Sequence, residues 1–243
     1  MRTFDAALNL LFPADIYCAS CGRYMDRPGP FGLCTRCLAE MEKAPCAGCN
    51  PEAMKAAGAS CAACTGEGFS FDRALFCCAY DGRAGDLIRN MKYRRGSYLA
   101  GHVVRMMAAR FLAAADPDTG ELPAYDLLVP VPMHIIKKRK RGYDQTQLIG
   151  CELARLTGIP YVEALVRLMR TDVMSGLRKE ARLLNLEGAF EVATAVKARG
   201  ALAGKSVLLI DDVFTTGSTA ETCAKTLREE GAVRIDFFAF AYA

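Results

Sequence analysis

The residues best suited to chemistry lie in the last fifth of the chain, where two neighbouring carboxylates precede a short loop of small, hydroxyl-bearing residues. Asp211 and Asp212 follow the apolar run 207–210, and the loop 215–219 reads Thr-Thr-Gly-Ser-Thr before a run of good helix formers. The first backbone N–H groups of a helix bind anions, phosphate above all, and carboxylates bind sugar hydroxyls or a hydrated Mg²⁺ ion. This segment therefore predicts a ligand that carries both a phosphate and a sugar diol.

A second set of reactive residues lies near the amino end, where eight of the twelve cysteines form four C-x-x-C pairs. Each pair can supply two thiolates to a tetrahedral zinc ion, and two pairs complete a closed structural site. We therefore expect two structural Zn²⁺ ions. Consecutive pairs share an ion in one scheme; in the other, the first pair joins the third and the second joins the fourth. The candidate ligands are Cys18, Cys21, Cys34, Cys37, Cys46, Cys49, Cys61 and Cys64.

Five consecutive cations occupy residues 137–141, shortly after the apolar run that ends at Val131 and Pro132. The formal net charge of the chain is only +4, and two four-thiolate zinc sites would each contribute about −2. Bulk charge therefore does not argue for a nucleic-acid partner. The local run predicts a flexible cationic loop at the end of a strand, where it could neutralise phosphate groups.

From residue 71 onward, candidate strands and helices alternate along the chain. The strands are expected at 74–80, 126–131, 164–168, 206–211 and 234–242, and the helices at 84–94, 98–115, 144–157, 178–185 and 219–230. Such alternation predicts an α/β fold, a mostly parallel sheet flanked by helices. Ligands of these sheets bind at the carboxyl ends of the strands, so the acidic pair and the cationic loop should lie close together.

The remaining features of the sequence indicate how the chain is divided into domains and where in the cell the protein is located. We expect a small cysteine-rich domain in residues 1–70 and the α/β domain in residues 71–243. Residues 1–12 suggest an amphipathic helix rather than an export signal, since Asp5 interrupts the apolar stretch. No apolar run approaches the length that crosses a bilayer. These features predict a cytoplasmic protein that does not insert into a membrane.

The segment from the apolar run to the hydroxyl-rich loop resembles the phosphoribosyl-pyrophosphate (PRPP) motif of type I phosphoribosyltransferases. The resemblance implies that Asp211 and Asp212 contact the ribose hydroxyls and that the following loop binds the 5′-phosphate with Mg²⁺ present. It also implies that Val131 and Pro132 lie in a pyrophosphate loop and that the cationic run lies in or near a loop that closes over the site. The further PRPP-binding residues so implied are Val213, Thr215, Thr216, Gly217, Ser218, Thr219, Lys138, Arg139, Arg141, Gly142 and Gln145.

The combination of a cysteine-rich amino end with this motif is similar to the ComF family of competence-related proteins. Further segments that carry the resemblance are 10–13, 80–82, 87–93, 129–134, 141–145 and 182–190. Two departures occur: Tyr143 and Asp144 stand where the family usually has Phe and Asn, and Met174 and Ser175 stand where a Gln is usual.

Two classes of function follow from this resemblance. The first is an enzyme that transfers phosphoribosyl from PRPP to an unidentified acceptor, in nucleotide or nucleoside metabolism or in DNA uptake, with Asp211, Asp212 and Arg141 as its catalytic residues. The second is a non-catalytic PRPP sensor or scaffold in natural transformation. That protein would bind single-stranded DNA and competence-machinery proteins through its zinc ribbons and its basic run.

Overall fold

The computed structural model describes residues 16–42, 62–80, 82–93, 96–114, 123–168 and 188–243. The strands in these ranges are β1 (Arg73–Ala79), β2 (Leu127–Pro130), β3 (Leu165–Arg167), β4 (Phe190–Val192), β5 (Ser206–Phe214) and β6 (Arg234–Tyr242). The helices are α1 (Thr35–Met41), α2 (Ala62–Thr65), α3 (Gly82–Tyr93), α4 (Ala100–Leu112), α5 (Ile135–Arg141), α6 (Gln145–Thr157), α7 (Thr194–Ala198) and α8 (Ser218–Glu229). The helices expected at 1–12 and 178–185 lie outside the described residues.

Four strands form a parallel sheet in the order β1-β6-β5-β2, which confirms the predicted α/β class. The long strands β5 and β6 form its centre and stay in register from Ser206 opposite Arg234 to Phe214 opposite Tyr242. Both are rich in β-branched, leucine and aromatic residues, which suits strands that are covered on both faces.

Successive residues of the central strands face opposite sides of the sheet, as strand geometry requires. In β5, Leu208 and Ile210 pack into one hydrophobic cluster with helices α3, α4 and α6. Val207 and Leu209 pack into the other cluster, with α8 and the strands β3 and β4. Because a core lies on each face, the carboxyl ends of the strands form the edge at which a ligand can enter.

Strand β3 was expected in the main sheet and instead pairs with β4 in a separate antiparallel hairpin, with Leu165 opposite Val192. The free edge of β2 is occupied by the segment just before β3. The N–H of Leu128 donates to the carbonyl of Pro160 at 2.8 Å, and the N–H of Val162 donates to that of Leu128 at 3.0 Å. The chain thus uses this edge before residue 164 and is free to turn into a hairpin.

The cysteine-rich segment packs directly on the α/β part. Buried Met25, Leu33 and Met41 belong to the same hydrophobic cluster as the inner faces of α3 and α4. The hydroxyl of Ser20 donates to the carbonyl of Arg83 at 2.9 Å, at the start of α3. Nδ1 of His102 in α4 lies 2.8 Å from the carbonyl oxygen of Phe31. The described part of the cysteine-rich segment therefore shares one core with the α/β part, and the boundary near residue 70 remains a prediction.

The cationic run forms a helix rather than the flexible loop that its composition suggested. Helix α5 begins after His134, whose ring accepts a hydrogen bond from the N–H of Ile136, and it ends at Gly142 with φ of +83°. A capped start and a left-handed glycine end are strong helix boundaries. They outweigh the repulsion among neighbouring cations that had favoured a loop.

Within the described ranges, none of the helices has the length and apolar content needed to cross a membrane.

Candidate functional site

The acidic pair lies where strand β5 extends past the end of its neighbour β2. Strand β2 pairs with β5 only as far as Pro130 opposite Ile210, and the N–H of Val131 makes one last bond to the Ile210 carbonyl at 2.9 Å. Beyond that point β5 continues beside β6, with Asp211 opposite Ala239. At the acidic pair, therefore, β5 is no longer paired with β2, and we refer to this end of the strand as the crevice.

Asp212 is buried and is held by two side chains that the chain brings from distant positions. The ammonium of Lys92, in the last turn of α3, lies 2.9 Å from its carboxylate. The amide of Gln145 donates to Oδ2 of Asp212 at 2.9 Å, and the guanidinium of Arg141 donates to Oε1 of Gln145 at 2.9 Å. Two predicted residues, Arg141 and Gln145, thus join the acidic pair through one network, while Lys92 completes it.

Asp211 is in a different electrostatic state from its neighbour. Its Oδ1 accepts a hydrogen bond from the N–H of Asp212 at 2.7 Å, and the hydroxyl of Thr146 lies 3.5 Å from the same oxygen. Burial, and then the negative charge of Asp212, raise the pKa of Asp211 well above that of an ordinary carboxyl group. Of the two acids, Asp212 is the one that makes an ion pair within the described residues. Lys92 acts on Asp211 without direct contact, and a bound cation would stabilise the charged form of Asp211.

The hydroxyl-rich loop joins β5 to helix α8 with the geometry of an anion site. Gly217 is the residue before the helix, has φ of +78°, and offers no side chain to the first N–H groups. A Cβ at this position would lie 2.6 Å from ring atoms of both Phe214 and Phe69, so only glycine fits. The hydroxyls of Thr216 and Ser218 lie 2.9 Å apart and order the loop. Uncapped N–H groups at a helix start, beside small hydroxyl residues, suit a phosphate.

Three further predicted residues lie in or beside this loop. Thr215, its first residue, is exposed. Thr219, in the first turn of α8, is half-buried. Val213 is paired opposite Ala241 and continues β5 between the acidic pair and the loop. The structure thus keeps residues 211–219 on one continuous strand, loop and helix.

The segment after β2 is only partly as predicted. Val131 is buried, and its N–H is engaged by β5. Pro132 is half-buried at the crevice. His134 caps helix α5, which gives this histidine a structural role.

The two cations named beside Arg141 separate in helix α5. Lys138 turns inward, and its ammonium donates to Oε1 of Gln147 at 3.0 Å. Arg139 is exposed on the outer side of the helix. The structure therefore brings Arg141 into the network of the acidic pair, and it does not bring Arg139 there.

Tyr143 and Asp144, which depart from the family pattern, both have local partners. The hydroxyl of Tyr143 donates to the carbonyl of Met91 and so ties the turn before α6 to helix α3. Asp144 caps α6, accepting from the N–H groups of Thr146 at 3.0 Å and Gln147 at 3.1 Å. Burial raises its pKa. Met174 and Ser175 lie outside the described residues.

A candidate metal centre forms from the first two C-x-x-C pairs. The Sγ atoms of Cys18, Cys21, Cys34 and Cys37 all lie within 4.8 Å of one another, and those of Cys21 and Cys34 are 3.9 Å apart. A zinc ion with bonds of about 2.3 Å needs sulfur atoms roughly 3.8 Å apart, so this donor set fits one Zn²⁺ ion. The structure supports consecutive pairing for this ion.

The backbone around Cys18 favours its thiolate form. The N–H of Cys34 donates to Sγ of Cys18 at 3.4 Å. Burial opposes ionisation of Cys18, but the N–H groups of Cys21, Cys34 and Ser20 outweigh it and lower its pKa to about 7. A thiol with a pKa near neutrality is partly ionised, and the thiolate is the form that binds metal.

The second predicted zinc site falls largely outside the described residues. Cys46, Cys49 and Cys61 lie there, and Cys64, which is described, packs against the cluster that contains α8. A second ion remains a prediction.

Sequence reasoning missed one surface feature near the first metal centre. Tyr17 and Tyr98 are exposed and line the same cavity of about 720 Å³, between the cysteine cluster and helices α3 and α4. Exposed Tyr24 contacts Tyr17 edge-on, with ring centroids 5.9 Å apart. No sequence pattern joins residues 17 and 98, because the packing of the ribbon on α4 creates this groove.

Comparison with known proteins gives several relatives over most of the chain. Competence protein F of Haemophilus influenzae is 29% identical over 215 residues, 87% of this chain and 91% of that protein. The DNA utilization protein YhgH of Escherichia coli K12 is 27% identical over 85% of this chain and 88% of its own. Competence protein ComFC of Streptococcus pneumoniae is 25% identical over 97% of this chain and 92% of its own.

Two solved structures also align with part of the chain. One, described as the allosteric regulatory enzyme of purine biosynthesis, has a TM-score of 0.34 at 23% identity and covers 57% of this chain and 26% of that chain. The other is a glutamine PRPP amidotransferase from B. subtilis, with a TM-score of 0.37 at 20% identity, covering 69% and 31%. No family model matches the chain. Over most of its length the chain is similar to Competence protein F and ComFC, which confirms its resemblance to the ComF family.

Proposed function

We propose that the crevice beside Asp211 binds PRPP together with Mg²⁺ and that the protein transfers its phosphoribosyl group to an acceptor. One observation carries this proposal: the acidic pair and the anion loop 215–219 lie on one strand–loop–helix unit, just past Ile210, where the pairing of β5 with β2 ends. Few ligands other than a phosphorylated sugar need carboxylates and a phosphate loop so close together.

Each part of the site has a distinct task in this proposal. The N–H groups around Gly217 bind the 5′-phosphate. Asp211 binds the ribose hydroxyls. The backbone N–H of Asp212 donates to the carboxylate of Asp211 and so orients that carboxylate. The guanidinium of Arg141, held by Gln145, supplies positive charge beside the acidic pair.

The reaction breaks the bond between C1′ of the ribose and the pyrophosphate oxygen, and the bonding electrons leave with the pyrophosphate. An electron pair of the acceptor forms the new bond to C1′. Since positive charge develops on the sugar, the protein accelerates the reaction mainly by fixed charges and orientation. Magnesium, when bound, would neutralise the departing pyrophosphate. The names of the relatives support a role in DNA uptake. The acceptor is unidentified.

Calorimetric titration of the zinc-loaded protein with PRPP, with and without Mg²⁺, tests the binding step. We expect binding that needs Mg²⁺, competition by ribose 5-phosphate, and loss of binding in Asp211→Asn. If the folded wild-type protein did not bind PRPP in the presence of Mg²⁺, the proposal would be contradicted. Release of pyrophosphate during incubation with candidate acceptors then distinguishes transfer from binding alone.

A second candidate is a binding function for single-stranded DNA, favoured by the tyrosine groove. Tyr17 and Tyr98 line one cavity and exposed Tyr24 contacts Tyr17, and aromatic side chains of this kind stack with unpaired bases. Arg83 and Asn90 also line the cavity and could contact the sugar-phosphate backbone. In this candidate the PRPP site serves as a sensor, and the protein acts as a scaffold in DNA uptake.

Fluorescence anisotropy with a labelled oligothymidylate tests this second function. The double change Tyr17→Ala and Tyr98→Ala should weaken binding by tenfold or more, since each base–aromatic stack contributes about 1–3 kcal/mol. The matched control Tyr161→Phe leaves the groove untouched. Equal binding by the wild type and the groove variant would eliminate this candidate.

A further inference from the structure

Helix α5 has two sides with different surroundings. Its inner side is fixed to the site: Lys138 donates to Gln147, and Arg141 donates to Gln145. Its outer side carries Ile135 and Ile136, which are 51% and 47% exposed. The same side carries Arg139 and Lys140, both exposed. The outer side thus combines adjacent aliphatic side chains with adjacent cations.

The aliphatic surface continues beyond the helix onto strand β3. Val166 in β3 and Leu168, the residue just after β3, are 39% and 51% exposed. Being two residues apart along extended backbone, they face the same side. Ile135 and Val166 both line one cavity of about 230 Å³ beside Pro132, so the two elements meet there. We name the set Ile135, Ile136, Val166 and Leu168, with Arg139 and Lys140, the outer patch.

We propose that the outer patch is a peripheral docking surface for an anionic lipid bilayer. Exposed aliphatic residues interleaved with lysine and arginine are typical of segments that rest at the boundary between headgroups and acyl chains. Anionic headgroups attract each lysine and arginine side chain near the membrane surface. Transfer of the aliphatic side chains out of water lowers the free energy of the bound state. The contact is superficial and does not require the chain to cross the membrane.

The composition of the patch argues against other occupants. A second copy of the chain, docked about a twofold axis, would place the cations of one α5 against those of the other. Single-stranded nucleic acid would need aromatic side chains to stack on, and the outer patch contains none. Protein interfaces are depleted in lysine and enriched in aromatic residues, again unlike this surface.

Cosedimentation with lipid vesicles tests the proposal. The probes are phosphatidylcholine vesicles and vesicles that contain about one-third phosphatidylglycerol, whose negative surface potential attracts cations. We expect the wild type to bind only the anionic vesicles, and more weakly as salt is raised. The variants Arg139→Gln/Lys140→Gln and Ile135→Ser/Ile136→Ser should each lower the partition coefficient by tenfold or more. Thermal melting checks that both remain folded.

The control is Arg199→Gln/Lys225→Gln, which removes the same charge from exposed positions elsewhere. It should bind anionic vesicles like the wild type. An equal loss of vesicle binding in the control, or binding of the wild type to neutral vesicles, would overturn the proposal. Either result would show that the charges of the outer patch do not determine vesicle binding. It is also overturned if vesicles fail to bind while oligothymidylate binds and is released by the Arg139→Gln/Lys140→Gln change. A dimer lost in the Ile135→Ser/Ile136→Ser variant, without vesicle binding, would have the same meaning.

Discussion

The ammonium of Lys92 lies 2.9 Å from the carboxylate of Asp212, although the two residues are 120 positions apart in the chain. Burial opposes the charge of Lys92, but Asp212 and then Asp211 outweigh it, and its pKa lies above the usual value. The pair makes the two acids of the motif unequal, because Asp212 is neutralised within the protein and Asp211 is not.

Asp212→Asn should destabilise the protein. It leaves the charge of Lys92 largely buried without its partner, and removal of one member of a buried pair typically costs about 3 kcal/mol. Urea denaturation of the unliganded protein measures the change in the free energy of unfolding. The double variant Lys92→Met/Asp212→Leu should recover most of the loss, and an undiminished loss there would argue against the pair as its cause.

Asp211→Asn should stabilise the unliganded protein, and increasingly so at higher pH. The folded state raises the pKa of Asp211, so the wild type loses stability as pH rises from about 4, the ordinary carboxyl value, through the raised pKa. The variant has no proton to lose and avoids this cost. Melting temperatures of both proteins at several pH values test the prediction; curves that stay parallel from acid to alkaline pH would contradict it.

Gly217→Ala should abolish phosphate binding and destabilise the protein by about 1–3 kcal/mol, because the change forces a strained φ as well as a steric clash. Gly204→Ala is the matched control, since Gly204 has φ of +70° but nothing within 4 Å of the position that an added Cβ would take. The difference between the two variants isolates the contact with Phe69 and Phe214. Calorimetry with PRPP and thermal melting supply the two readouts.

Gln145→Leu should weaken PRPP binding about tenfold, since a hydrogen bond to a charged group contributes about 1.5–3 kcal/mol and the change also releases Arg141. Gln147→Leu is the control. Gln147 bonds to Lys138 and Glu163 rather than to the acidic pair. If both variants bound PRPP equally well, Gln145 would have no part in the site.

Cys21→Ser should lower the zinc content by one ion per chain and lower the melting temperature, because a structural zinc site contributes directly to folding. Cys151→Ser, at an exposed cysteine outside the cluster, should change neither. Metal analysis of the purified variants gives the number of ions. An unchanged zinc content in Cys21→Ser would exclude this cluster as a metal site.

Local patterns located the elements on either side of the acidic pair. Strand β6 has the predicted bounds, Arg234–Tyr242, and α8 begins one residue before its predicted start. Both follow from long apolar runs and a glycine at the turn, signals that need no distant partner.

Features that depend on distant partners could not be predicted in this way. Lys92 becomes part of the site only because α3 ends beside β5. The hairpin of β3 and β4 depends on which segment occupies the edge of β2. Helix α5 was missed because its cap is a histidine, an uncommon capping residue. The likeness to a known family supplied the proposed roles of the site residues, which periodicity alone does not contain.

Helix α3 touches the metal-binding segment at one end and the crevice at the other. Ser20 binds the carbonyl of Arg83 in its first turn, and Lys92 reaches Asp212 from its last. Twelve helical residues span roughly 18 Å and bend little over that distance. We therefore expect zinc loading and ligand affinity to form a single linked equilibrium: metal starvation would reduce PRPP affinity, and bound PRPP would slow the loss of zinc to a chelator.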